Sequence, residues 1–110
     1  MVALTPQLED LLRKSQIAYL CTVDNSNQPH VTPIFFIFKT STQSIIFVAS
    51  SNSKKMANIK MNPNVSITID TRDPVDPFNN FGVQIGGISE IKGTLTSTEK
   101  TKVDLEKQIY

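Results

Sequence analysis

Between residues 17 and 94 this chain repeats one pattern: short runs of β-branched and aromatic residues, each closed by a cluster of turn formers. Such runs form strands, and strands leave polar edges that must be paired or covered. The first run, residues 17–23, ends in Asp24-Asn25-Ser26-Asn27, and a second fills residues 30–38, so the two read as a hairpin. A third run, residues 44–49, delivers the chain to Ser50-Ser51-Asn52-Ser53-Lys54-Lys55. Residues 65–69 alternate as a half-buried strand. Residues 81–94 form a longer one, which Gly86-Gly87 is expected to interrupt with a bulge or the close approach of another backbone. Asp70 to Asn80 holds Pro74 and Pro77 and reads as a loop, long enough to suggest a functional segment or a subunit contact.

Three helices are expected around these strands. Thr5-Pro6 supplies an N-cap and a first-turn proline ahead of Leu8, Leu11 and Leu12 at helical spacing, up to about Lys14. Ser53 caps a short helix with Met56 and Ile59 three apart, stopped by Asn62-Pro63. Thr96-Ser97-Thr98-Glu99 has the form of a capping box, which predicts a charged helix running to Tyr110. Five strands within about 80 residues favour a mainly β fold, a small antiparallel barrel with short helices as plugs, because closure removes exposed edges. Residue physics alone leaves an OB-like and a split-barrel topology both open.

Composition narrows function by exclusion. At 110 residues the chain is expected to be one domain with a single core. Its net charge of +1 and lack of a Lys/Arg stripe argue against nucleic acid as a partner. Its apolar runs are too short to cross a bilayer, and no basic segment followed by an apolar one opens the chain, so a soluble cytoplasmic protein is expected. The single cysteine, Cys21, excludes an internal disulfide and a multi-cysteine zinc site and reads as a buried core thiol. His30, the only histidine, reads as a solvent-facing strand residue, since no second ligand stands at suitable spacing. Asp70, Asp73 and Asp76 do not match the spacing of an EF-hand, so no metal site is expected. Phe35, Phe36, Phe38 and Phe47 fall on neighbouring strands. Alternation sends some into the core and leaves others outward, where they would serve an interface.

The chemically informative stretch is the serine-lysine turn. Lys54 and Lys55 fall in the first turn of the short helix, where backbone N–H groups are unpaired and the macrodipole is positive, so a cation loses up to about 1 kcal/mol there. A phosphate reverses that sign. It would accept from the free N–H groups, from the hydroxyls of Ser50, Ser51 and Ser53, and from the ammonium groups. The alternative is a solvated turn with two ordinary surface lysines.

Three stretches in order resemble the flavin-binding split β-barrels typified by pyridoxamine 5′-phosphate oxidase. The hairpin from Ala18 to Pro33 is similar to that family's opening, including Gln28-Pro29-His30-Val31-Thr32-Pro33. Residues 47–66 resemble, without a gap, its strand, phosphate turn, lysine-bearing helix (Lys54-Lys55-Met56-Ala57-Asn58-Ile59) and following Asn62-Pro63-Asn64-Val65-Ser66. Val83-Gln84-Ile85-Gly86-Gly87 resembles a later strand. The resemblance implies FMN bound between the subunits of a homodimer. Its phosphate would be held at Lys54 and Lys55 with help from the Ala49-Ser50-Ser51-Ser53 region, and its ring and ribityl chain would lie along Val31, Thr32, Pro33 and Ile34. No acid, base or nucleophile is assigned a catalytic role, which suits hydride transfer at a redox cofactor.

The chain also departs from the family pattern. Family oxidases carry arginine where this chain has Thr32 and Lys54, and threonine and asparagine or serine at Ala49 and Ser50, so a point charge replaces a bidentate fork. Members usually continue into a further strand at the cofactor edge, which this sequence does not show, and the C-terminal signature of vitamin B6 oxidation is absent. The resemblance therefore implies a small flavin-dependent oxidoreductase acting on an unassigned small molecule. The alternatives are a deazaflavin-binding reductase, which would need a longer basic groove, and a non-catalytic flavin-binding or dimeric interaction module.

Overall fold

The computed structural model describes residues 4–71, 75, 76, 78–95, 98–104 and 108–109, with side chains through Ile91. Helix α1 (Pro6–Lys14) starts where expected, with the Thr5 hydroxyl accepting from Leu8 N at 3.2 Å. Strands β1 (Ile17–Val23), β2 (Pro29–Lys39) and β3 (Ser44–Ser50) follow as an antiparallel meander. The first hairpin loop is built by Asp24, whose Oδ1 accepts from the amides of Ser26 (2.8 Å) and Gln28 (3.0 Å), and Asn27 takes a left-handed φ of 61°. Helix α2 (Lys54–Met61) leads to β4 (Asn64–Thr71), β5 (Phe81–Leu95), β6 (Thr98–Asp104) and the short β7 (Gln108–Ile109). Among the described residues no helix is long and apolar enough to span a membrane.

The strand order β4-β1-β2-β3 is that of a Greek key. The sheet continues through β6 to β5, and β5 pairs back onto β4, closing the barrel. Closure is shared by two long strands. The β2 strand pairs with β1 from Pro29 to Phe35 and with β3 from Phe36 to Lys39. The β5 strand pairs with β4 from Phe81 to Ile88 and with β6 from Ser89 to Leu95. Each passes from one sheet to the other at a corner, which makes this a split barrel.

Alternation along the strands fills the interior. Ala18, Leu20, Ile34, Phe36, Ile45, Phe47, Ile67, Ile69, Val83 and Ile85 are all buried, and α1 and α2 add Leu11, Leu12, Met56 and Ile59. The opposite face of β1, β2 and β3 carries Ile17, Tyr19, Val31, Phe35, Ile37 and Val48, all exposed.

Three expectations are corrected. The charged C-terminal helix is absent over residues 98–104, where β6 lies between β3 and β5 and completes the barrel. Pairing on both edges overrides local helix propensity. Thr96, Ser97 and the end at Tyr110 lie outside the described residues, as does Asp73. Gly86-Gly87 makes no bulge, since both stay in register opposite Ser66 and Val65; the other expectation, the close approach of another backbone, is met by β7, whose Gln108 pairs with Gly86. The register shift falls instead between Ile91 and Gly93, as β5 runs along β6. Finally, Cys21 is only half-buried. Inward-facing Leu20 and Thr22 flank it, so alternation turns it outward, and it pairs across the sheet with Val31 and Ser66.

Candidate functional site

The corner in β2 defines the site. Its ladder with β3 ends at Phe36↔Phe47, so residues 31–34 keep β1 as their strand neighbour while β3 runs on through Val48, Ala49 and Ser50 toward α2. The chain leaves β3 through a turn that its own serines close. Ser53 N donates to Ser50 O at 3.0 Å, Ser53 Oγ donates to the same carbonyl at 2.7 Å, and Asn52 N donates to Ser50 Oγ at 3.4 Å. Ser53 Oγ also accepts from Met56 N at 3.4 Å as the N-cap of α2.

These bonds sort the expected residues by role. The Ser53 hydroxyl is engaged on both its donor and acceptor sides, so it shapes the turn that presents Lys54 and Lys55. Ser50 supplies the acceptors that close the turn, and half-buried Ser51 is also bonded. Ala49 and Ile34 are buried core residues, so their side chains face the interior of the barrel. Val31 and Pro33 are exposed on the outer face, whereas Thr32 points inward, half-buried, opposite Leu20. Lys54 and Lys55 occupy the first turn of α2, the former exposed and the latter half-buried. That turn holds no acidic residue, and among the described residues neither lysine belongs to an ion pair. The helix start is therefore a concentrated positive site composed of two cations, first-turn amides and the dipole.

His30 is half-buried, and its Nε2 lies 3.1 Å from Asp24 Oδ2. The Gln28 amide first, and then the bond to His30, lower the Asp24 carboxyl from its usual 3.8 to about 2. This pair holds the β1–β2 hairpin that carries residues 31–34.

Sequence reasoning missed two features. Asn58 and Thr22 are both buried, and Asn58 Nδ2 donates to Thr22 Oγ1 at 3.0 Å, tying α2 to β1. A polar residue on the apolar side of a short helix was the available signal. The second is an open recess of about 460 Å³ on β4 and β5, lined by Thr68, Asp70, Gly82 and Gln84 among others. A Cβ added at Gly82 would come within 3.1 Å of the Asp70 Cβ, so glycine keeps this floor low. Register aligns the recess with the corner, since Pro33 pairs with Tyr19, Tyr19 with Thr68, and Thr68 with Gln84. Directly paired residues share a face, so this row crosses one continuous outer surface.

Known proteins share this architecture. HutZ, the heme storage protein of Vibrio cholerae, matches with a TM-score of 0.80 at 14% identity, over 99% of this chain and 94% of that one. An FAD-binding protein of Mesorhizobium loti matches at 0.76 and 15% identity, over 94% and 87%. An F420 reductase matches at 0.72 and 21% identity, over 92% and 94%. At these identities the likeness is one of fold. No curated protein matches the chain in sequence. The split barrel agrees with the match of residues 4–110 to the pyridoxamine 5′-phosphate oxidase family, and the chain belongs to that family.

Proposed function

We propose that the split between β2 and β3 binds flavin mononucleotide and that the protein is a small flavin-dependent oxidoreductase. The observation that carries this reading is a helix start bearing two lysines and no acid, on a helix that the Asn58–Thr22 bond ties to β1, the strand that pairs with Val31–Ile34. The residues present suit such a group. Lys55, Lys54 and the first-turn amides of α2 would take the phosphate. The outward side chains of Val31 and Pro33 would give the ring an apolar surface. Bound FMN supplies hydride acceptance and donation. The chain's part is to orient the ring and exclude water from it. Two copies associating through the exposed apolar face of β1, β2 and β3 would cover Phe35 and Ile37 and enclose the cofactor between subunits.

The test is titration of the purified protein with FMN, riboflavin, FAD, a deazaflavin cofactor and haem, followed by gel filtration and absorbance. Retained FMN that a hydride donor reduces supports the proposal. Preferential uptake of haem, FAD or the deazaflavin, or no retained flavin, overturns it.

A further inference from the structure

The buried bond between Asn58 and Thr22 sits beneath the lysine turn. Asn58 follows Lys54 by four residues and Lys55 by three, spacings that place all three on adjoining positions of one helical flank. Its partner belongs to β1, where Thr22 pairs with His30 and Leu20 pairs with Thr32. One hydrogen bond therefore couples the helix that carries the cations to the hairpin that carries residues 31–34.

Both ends of the helix carry directional bonds, with the Ser53 cap closing onto Ser50 O at the start. At its exit, Pro63 O accepts from both Ser89 N (2.7 Å) and Ser89 Oγ (2.9 Å). Between the cap and that exit, Met56 and Ile59 pack in the core, and apolar contacts tolerate small rotations that a buried hydrogen bond does not. With both ends anchored, the Asn58–Thr22 bond ties the body of α2 to β1, and so bears on where the Lys54–Lys55 end stands relative to β2.

We infer that Asn58 and Thr22 are positioning residues for recognition of a phosphate monoester, holding the two halves of the site in register. The inference rests on the proposal that the lysine turn receives the FMN phosphate. Riboflavin, which lacks the phosphate, separates positioning from general support of the fold. A merely structural role would weaken both ligands alike.

The test compares FMN and riboflavin dissociation constants, by flavin fluorescence, for the full chain and for Lys55→Ala, Thr22→Val, Thr22→Ser and the double variant Thr22→Val/Asn58→Leu. The double variant replaces both partners with apolar groups, so it leaves neither side of this bond buried and unpaired, and circular dichroism should show it folded. The inference expects the native chain to prefer FMN, Lys55→Ala to lose much of that preference, and the double variant to lose it by about tenfold, with Thr22→Ser restoring it. Preference that is lost in Lys55→Ala but kept in the double variant overturns the positioning role and leaves the phosphate site standing. A native chain with no preference for FMN over riboflavin overturns both.

Discussion

At the proposed phosphate site the two neighbouring lysines would carry different weight, because they differ in burial. Lys55 is half-buried and Lys54 exposed, so a phosphate contact from Lys55 is less screened by solvent. Replacing Lys55 with alanine should weaken FMN by about 1.5–3 kcal/mol, the worth of a charge-assisted hydrogen bond, and Lys54→Ala should cost less and depend more on salt. Titration at low and high ionic strength checks both. Asp24 makes a different prediction. Its carboxyl is held at about 2 against an ordinary 3.8, so the charged form stabilises the folded state above the unfolded value, and that contribution fades as pH falls through the folded one. Denaturant melts between neutral pH and pH ~2 should show the native chain losing stability across this window faster than Asp24→Asn. The lysine turn was legible because capping and dipole rules act over a few residues. The Asn58–Thr22 bond was not, because its partners stand 36 positions apart and only the fold brings them together.

At the level of elements, local signals read well where the backbone decides and poorly where a neighbour does. Thr5 and Ser53 mark their helices through hydroxyls that accept amide hydrogen bonds, and both were visible from residue type and the apolar spacing that follows. The β6 strand was invisible for the opposite reason. Its sequence, TEKTKVD, mixes helix-forming Glu and Lys with strand-forming Thr and Val, and the apparent capping box overlapping its start points to a helix, yet β3 and β5 offer ladders on both sides. Paired backbone on two edges outweighs propensities of a few tenths of a kcal/mol per residue. For α2 the consequence is testable. Ser53→Ala removes the N-cap and the hydroxyl's bond to Ser50 O together while keeping the backbone one, and should cost about 0.5–2 kcal/mol of stability in urea unfolding. The same variant should weaken FMN more than riboflavin, because the turn it loosens presents the cations.

For the molecule as a whole, closing the barrel fills the interior but leaves an apolar exterior. Phe35 is 75% exposed and Ile37 65%, beside Ile17, which pairs with Phe35 across the β1–β2 ladder. These exposed apolar side chains share the outer face with Val31 and Pro33, and on the proposed reading they form an interaction surface. A second copy of the chain is the occupant that would join the patch and the cofactor site into one structure. Phe35→Glu tests this cleanly, because a side chain that is mostly exposed can take a charge without disturbing the core, whereas in an interface the charge would be buried unpaired. Sedimentation should report a dimer for the native chain and a monomer for the variant, with an unchanged thermal transition in dilute solution excepting the part contributed by association. If the cofactor lies between subunits, the monomeric variant should also bind FMN at least about tenfold more weakly, since one wall of the site leaves with the partner. A monomer that keeps native affinity would place the whole site within one barrel, on the row from Pro33 through Tyr19 and Thr68 to the recess at Gln84.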